Sequence, residues 1–301
     1  MRDEQPPTGL ARRRRRLSDE ETAQRMLRTA LAMVNETGLT VSLEHIGFED
    51  VIREAGVSRS AVYRRWPYKD LFFSDLLKEL AGATGPAALA EARSSALVRR
   101  VVLERLDWLA TPAQRHDLCV ELLRQGALGD FETIHGSTEW RTFIALHATF
   151  LSLADGELRE EVRSALARTE RGFVERISGT YARLAGLLGY RLRPGFDATF
   201  DTLATLVGAT MRGLVITALT SPGMADRRVR ANPFGAAGTA EWSEPALAVA
   251  GVALSFLEPD PTVVWDEARI ADVRGALEAD ERAGRRESTE EARAAGGPSD
   301  G

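Results

Sequence analysis

Apolar side chains recur at helical spacing along almost the whole 301-residue chain, and this periodicity limits the fold more than any other feature. Residues at positions i, i+3, i+4 and i+7 share one face of an α-helix, whereas a half-buried strand alternates every second residue. We find no convincing run of alternating β-branched residues, so we expect an all-α chain. The helical pattern is clear in two early segments: Leu27, Ala30, Leu31 and Val34, then Phe48, Val51, Ile52 and Ala55.

The first helices also have recognisable ends. Ser18 followed by Glu21 is a capping box that begins the first helix. Gly56 is placed to end the second helix, and Ser58 can cap a third helix that runs to about Trp66. The sequence therefore predicts three short helices before residue 67, with a tight glycine turn between the second and the third.

Glycine and proline divide the later helical pattern. We expect breaks at 82–86, 111–112, 126–136, 155–156 and 189–195. The two most apolar predicted helices are the segments 196–220 and 242–257. We interpret them either as central core helices or as part of an interface between two copies of the chain. The segment 221–241 reads as a loop long enough to be partly disordered.

The charge of the chain is unevenly distributed. The net charge is −5, yet residues 1–17 carry six arginines against two acids. This segment has too little apolar surface to fold alone and reads as a flexible basic arm. The arm either contacts DNA phosphates or a minor groove, or is a solvated tail. Its arginine run is Arg12, Arg13, Arg14, Arg15 and Arg16.

Composition narrows the functional classes. We find neither a long uninterrupted apolar run for a membrane span nor a secretory signal, and the single cysteine, Cys119, fits a reducing compartment. A cytoplasmic protein without a membrane partner is therefore expected. His116 and Cys119 lie three residues apart, but two ligands do not make a metal site. No nucleophile elbow or phosphate-binding glycine loop is found, so we expect no catalytic residue, metal or cofactor.

The segment Phe48–Trp66 fits a helix-turn-helix, in which the second helix can enter a DNA major groove. Val62 and Trp66, four residues apart, would face inward. The outer face would then carry Arg59, Ser60, Tyr63 and Arg64, with Lys69 close by. Arginine suits guanine acceptors, while tyrosine and lysine suit phosphate oxygens. The same spacing also fits an ordinary amphipathic helix with a solvated basic face.

Residues 55–58, Ala-Gly-Val-Ser, are followed by Tyr63, Trp66-Pro67, Lys69 and Leu71. This order and spacing closely resemble the DNA-binding domain of TetR-family transcriptional regulators. The resemblance covers about 18–80. It departs from the family at Trp66, where phenylalanine is commoner, and in a longer loop from Gly38 to Phe48.

The resemblance implies a homodimer that represses transcription from a palindromic double-stranded DNA operator, and a C-terminal domain that holds a small-molecule effector. It places Ser58, Arg59, Ser60, Tyr63, Arg64 and Lys69 on DNA. The implied organisation is a basic arm at 1–17, a helix-turn-helix domain at 18–80, a helical ligand-binding and dimerisation domain at 81–260, and a mostly disordered tail at 261–301.

Aromatic rings on the central helices are candidates for lining the effector pocket, although each also fits plain core packing. These candidates are Trp108, His116, Trp140, Phe143, His147, Phe150 and Phe173. Two other functions stay open. One is a DNA-binding regulator without an effector, and the other, more remote, is an all-helical enzyme with a basic surface.

Overall fold

The computed structural model describes residues 17–37, 46–82, 87–279 and 282, and this part of the chain is mostly helical, which confirms the expected fold class. The helices are α1 (Asp19–Thr37), α2 (Phe48–Ala55), α3 (Arg59–Arg65), α4 (Lys69–Gly82), α5 (Ala87–Leu103), α6 (Pro112–Gly136), α7 (Thr138–Ser152), α8 (Glu157–Leu188), α9 (Phe200–Thr220), α10 (Gly223–Asp226), α11 (Glu244–Phe256) and α12 (267–279). A short 3₁₀ helix, Leu106–Ala110, precedes α6.

The helix ends near the N-terminus follow the residues that the sequence indicates. The amide of Ser18 donates to Glu21 Oε2 at 2.7 Å, and the amide of Glu21 donates back to Ser18 Oγ at 3.0 Å. Ser58 Oγ accepts from the amide of Ala61 and caps α3. Gly56 ends α2 at φ +60°, in the left-handed region that glycine adopts without steric cost. Local chemistry thus defines this turn.

Three apolar cores hold the helices together. The first core joins α1 to α4 with α7 and the first half of α8, where Val162, Ala165 and Leu166 are buried. The second core lies among α6, α7, α9 and α11. The third lies among α5, α6, the end of α8 and α12. Since α8 contributes to the first and third cores, it links the N-terminal helices to the rest of the chain.

One predicted interruption is wrong. The expected break at 126–136 lies inside α6, which runs without interruption to Gly136. Glycine inside a helix costs only about 1 kcal/mol relative to alanine, and packing of Ala127, Phe131 and Ile134 in the second core outweighs that cost. Within the segment 261–301, for which the sequence predicts a mostly disordered tail, residues 267–279 form α12 with Val273 and Leu277 buried.

Four short strands, which the sequence did not predict, form two antiparallel ladders. The strands are β1 (Tyr190–Leu192), β2 (Arg228–Ala231), β3 (Ala240–Ser243) and β4 (Leu257–Pro259). β1 pairs with β4, and β2 pairs with β3, with Val229 opposite Trp242. The predicted loop 221–241 thus contains α10, all of β2 and the start of β3. Strands of three or four residues are too short to show an alternating pattern.

Among the described helices, α9 alone is long and apolar enough to cross a membrane by length and composition, and 33% of its most apolar window is buried within the chain. Its Arg212 pairs with Glu170 of α8 at 2.7 Å. One face of α9 packs against α8 and α11 in the second core. These contacts bury one face of α9 within the chain, and a core helix passes the same test of length and composition.

Replacing Gly56 with alanine tests the turn between α2 and α3. The left-handed conformation costs an alanine about 1–2 kcal/mol, so Gly56→Ala should lower the free energy of unfolding by that amount. As the matched control, Gly179→Ala in α8 has open space around the new methyl group and should raise stability by about 0.5–1 kcal/mol. Urea denaturation followed by circular dichroism measures both, and equal effects would contradict a strained turn.

Candidate nucleic-acid interface and internal cavity

Buried aromatic packing fixes the orientation of α3. Val62 and Trp66 are 0% and 1% exposed, as the sequence predicts for inward-facing residues. The ring centroid of Phe72 lies 5.1 Å from that of Trp66, in an edge-to-face arrangement. Trp66 Nε1 also donates to Asp75 Oδ2 of α4 at 2.9 Å. Burial works to raise the pKa of Asp75, but hydrogen bonds from Lys78 and Trp66 outweigh it and lower the pKa. The inner side of α3 is therefore held firmly on α4.

The opposite side of α3 is open to solvent and carries the residues that the sequence selects. Residues 59, 60, 63 and 64 fall within one arc of the helix, and all are exposed. Ser58 is exposed at the N-terminus of α3, where its hydroxyl already serves as the cap. Lys69 is exposed at the first residue of α4 and has no ion pair with any described residue. The structure thus presents a polar and basic surface next to a rigid support.

Two acidic side chains already bind the basic groups of this surface. Glu49 of α2 pairs with Arg59, with 2.7 Å between Oε2 and Nη2, and accepts a 2.8 Å hydrogen bond from the hydroxyl of Tyr63. That hydrogen bond raises the pKa of the Tyr63 phenol. Asp19 of α1 binds Arg64, with 3.2 Å between Oδ2 and Nε. In the free chain, therefore, carboxylates neutralise part of the surface that would meet DNA.

Sequence reasoning omitted two further residues of this surface. Tyr68, just before α4, is 73% exposed, which is unusual for so large a ring. Arg65 is exposed and lies over the ring of Trp66, 5.6 Å from its centroid. Both stand within the same basic and aromatic stretch as the predicted residues, and that local composition was the available signal. The predicted arm, Arg12–Arg16, lies outside the described residues.

A cavity of about 150 Å³ lies where the second and third cores meet, between α5, α6, α8, α9 and α11. Its wall is mostly leucine, valine and alanine. None of the seven predicted pocket residues lines it. The polar or ionisable residues on the wall are Ser94, Cys119, Asp130, Thr180, Tyr181 and Tyr190.

The predicted rings pack in the cores and close to them, and three of them, Trp140, Phe143 and Phe173, also line a separate small pocket of about 10 Å³. Trp140 packs edge-on against Phe143 and Phe173, with centroids 5.5 and 5.7 Å apart. Phe150 packs against the first core, and His147 Nδ1 lies 2.9 Å from the carbonyl oxygen of Phe143. Large rings fill gaps efficiently, so the space is left beside smaller side chains.

The two other predicted pocket residues lie near the hairpin β2–β3. His116 Nε2 lies 2.7 Å from the carbonyl oxygen of Phe234, to which it can only donate, so its Nδ1 accepts from the hydroxyl of Tyr190 at 3.1 Å. Trp108 lines an open groove together with Trp242. His116 therefore serves as a link between α6, β1 and the segment after β2.

Among the described residues that line the cavity, Asp130 alone carries a charged side chain. Its Oδ1 accepts a 2.9 Å hydrogen bond from Ser94 Oγ of α5. Burial raises the pKa of Asp130 to about 6, although the bond from Ser94 acts in the opposite direction. Burial also raises the pKa of Cys119 to about 12, so its thiol stays protonated and unreactive. The cavity thus combines an apolar wall with one carboxyl group.

Comparison with known proteins gives no assignment by sequence: no protein-family model matches the chain, and no curated protein matches it significantly. Among solved structures, the reduced form of NemR from Escherichia coli is similar, with 15% identity over 80% of this chain and 100% of NemR, at a TM-score of 0.42. Native NalD, the secondary repressor of the MexAB-OprM multidrug efflux pump in Pseudomonas aeruginosa, has 23% identity over 68% of this chain and 87% of NalD, at a TM-score of 0.32. At these scores the likeness assigns no role to any residue of this chain.

Replacing Asp130 with asparagine tests the electrostatic cost of the cavity carboxyl. Its pKa of about 6 in the folded chain exceeds the ordinary value of about 3.9. Protonation of Asp130 therefore stabilises the folded state. This contribution is complete below about pH 4 and is lost as the pH rises through about 6. Asp130→Asn should raise the free energy of unfolding by about 1–3 kcal/mol at pH 8 and change it little at pH 4.

Urea denaturation at the two pH values measures this difference. Glu132→Gln, an exposed neighbour on α6, is the matched control and should have little effect at either pH. Destabilisation by Asp130→Asn at pH 8 would show that the carboxylate contributes to the fold.

Proposed function

We propose that the chain is a TetR-type transcriptional regulator, which binds a palindromic operator as a homodimer, represses transcription and is released by a small molecule. The observation that carries this proposal is the two-sided character of α3. Val62 and, just after the helix, Trp66 hold it on a rigid core, while Arg59, Ser60 and Tyr63 face outward. A helix presented in this way can enter a major groove.

The side chains of this surface fit distinct contacts with DNA. Arg59 is the first residue of α3, where an arginine can reach the O6 and N7 acceptors of guanine. Ser60 and Arg64 lie on the same arc and extend that contact. Ser58, Tyr63 and Lys69 suit phosphate oxygens, which set the register of the helix without reading the sequence. The arm at Arg12–Arg16 adds salt-dependent affinity in this proposal.

The outward face of α9 supports the dimer. Thr205, Ala209, Gly213 and Ile216 are exposed at helical spacing, and Leu206 lies beside them. Small and uncharged residues permit close approach of a second helix, which here would come from another copy of the chain. By contrast, α11 has no exposed large apolar residue and is a core helix of one chain. The interface is therefore assigned to α9 rather than to both apolar helices.

Helix α8 supports a connection between the cavity and the DNA surface. Its first half packs on α4, where Thr169 Oγ1 donates to the carbonyl oxygen of Ala81 at 2.7 Å and Lys78 pairs with Glu161 at 3.1 Å. Its second half, from Ile177 to Leu188, lines the cavity. A ligand that prefers one position of α8 therefore also shifts α4 and the α3 attached to it. Such a ligand regulates DNA binding only if its affinities for the two states differ.

Substitution of Arg59 and of Lys69 tests the proposal. With operator DNA selected from a random duplex pool, Arg59→Ala should cost about 1–3 kcal/mol on the operator and relax its sequence preference. Lys69→Ala should weaken operator and scrambled duplex alike and reduce the salt slope by about one unit. Fluorescence anisotropy at several salt concentrations measures both. Selection that yields no preferred sequence would contradict the operator, and wild-type binding by both variants would contradict the assigned surface.

Replacement of Glu49 tests the acidic contacts. Glu49→Gln removes the ion pair to Arg59 and one negative charge beside the phosphates. Exposed ion pairs contribute up to about 1 kcal/mol, so the affinity for scrambled duplex should rise about 2- to 5-fold. Asp50→Asn on the same helix is the control, because Asp50 pairs with Arg53 and not with α3. Weaker operator binding by Glu49→Gln would show instead that Glu49 orients Arg59 for its base.

A further inference from the structure

We propose that the cavity takes a small apolar ammonium compound, namely one ring or a short hydrocarbon chain with a single protonated amine that pairs with Asp130. This inference rests on the proposed function, because it names the ligand class of the regulator's effector cavity. It follows from the size of the cavity, the composition of its wall and the position of one carboxyl group.

Size and wall composition favour a compact hydrocarbon body. A dry apolar cavity of about 150 Å³ accommodates a molecule the size of benzene, and the cavity here measures about 150 Å³. Val207, Met211 and Val249 form part of its wall from α9 and α11. Contact with a ring or a short alkyl group is favourable for such side chains, because it removes apolar surface from water. They provide no hydrogen bonds to a polar body.

The charges on the wall favour a cation. Within the described residues, no arginine, lysine or histidine lines the cavity, and none pairs with Asp130. The hydroxyl of Ser94 is the hydrogen-bond partner of its Oδ1. A carboxylate in such surroundings is costly unless a cation compensates it, and a protonated amine supplies both charge and donors. An anionic ligand would instead meet a like charge.

The position of Asp130 fits the amine end of such a ligand. Asp130, Ser94, Leu97 and Gly126 line both the cavity and an open groove between α5 and α6. The groove also carries Arg93 and Arg100, whose guanidinium groups donate to Thr133 and Gln125 and not to Asp130. The carboxyl group thus stands where the cavity meets the exterior, and the apolar wall lies behind it. A ligand that enters through the groove can place its hydrocarbon body inside and keep its charged group next to Asp130.

Isothermal titration calorimetry of the full chain with three probes of similar size tests the ligand class. At pH 7.5, benzylamine should bind, toluene should bind more weakly, and benzoate should not bind. Asp130→Asn should weaken benzylamine about 10- to 100-fold, which is the usual contribution of a hydrogen bond to a charged group, and leave toluene unchanged. Ser94→Ala is the matched variant, because it removes the partner of the carboxyl group but keeps the charge; benzylamine binding should persist.

The affinities of the three probes decide whether the ammonium class holds. Equal binding of toluene and benzylamine, or an unchanged benzylamine affinity in Asp130→Asn, would overturn the ammonium class. If none of the three probes binds, the cavity is not a ligand site. Circular dichroism checks that each variant is folded.

The DNA titration is run separately on the same protein, with and without benzylamine. Benzylamine binding by a chain that binds no operator would refute the regulator and leave the ligand class standing. Operator binding by a chain that does not bind benzylamine would refute the ligand class and leave the regulator standing.

Discussion

The contact between α4 and the first half of α8 is the interaction on which the rest of the structure depends. Leu76, Leu80 and Ala81 of α4 are buried in one core with Val162 and Leu166 of α8. Without that contact, the N-terminal helices would lose part of their core. Because α8 continues as one helix of 32 residues, its far end reaches the cavity without a flexible joint. One helix thus packs on α4, the support of α3, with its first half and lines the cavity with its second half.

Locally determined features could be predicted from the sequence, since each depends on neighbouring residues. Ser18 and Glu21 cap each other, Gly56 takes a conformation that suits glycine, and Val62 with Trp66 identifies the inner side of α3. The exposed residues of that surface follow from the same periodicity. By contrast, the continuity of α6 through Gly126 and Gly129 depends on packing against α9 and α11, which no local pattern reveals.

The cavity could not be predicted for a related reason. Space inside a protein is left by an arrangement of several helices, whereas aromatic rings mark places where space is filled. Trp140, Phe143 and Phe173, which the sequence suggests as pocket residues, pack on one another beside a pocket of only about 10 Å³, whereas the cavity of about 150 Å³ lies among smaller residues. The carboxyl group of Asp130 within an otherwise apolar stretch of α6 was the available signal. Its meaning depends on the contact with α5, which only the folded chain shows.

Carboxylate groups affect what could bind at the exposed side of α3 and in the cavity, in both places through their negative charge. Glu49 holds Arg59 and Tyr63, and Asp19 holds Arg64, so a nucleic acid must replace these carboxylates before it gains the contacts. Weak phosphate contacts compete poorly with such pairs, whereas a base that accepts two hydrogen bonds from Arg59 offers a stronger replacement. In the cavity, no cation among the described residues pairs with Asp130, so a cationic ligand of the proposed class would gain that interaction without displacing one. In the proposed regulator, the acids at α3 would therefore select against non-specific DNA, while the acid in the cavity would select for a cationic ligand.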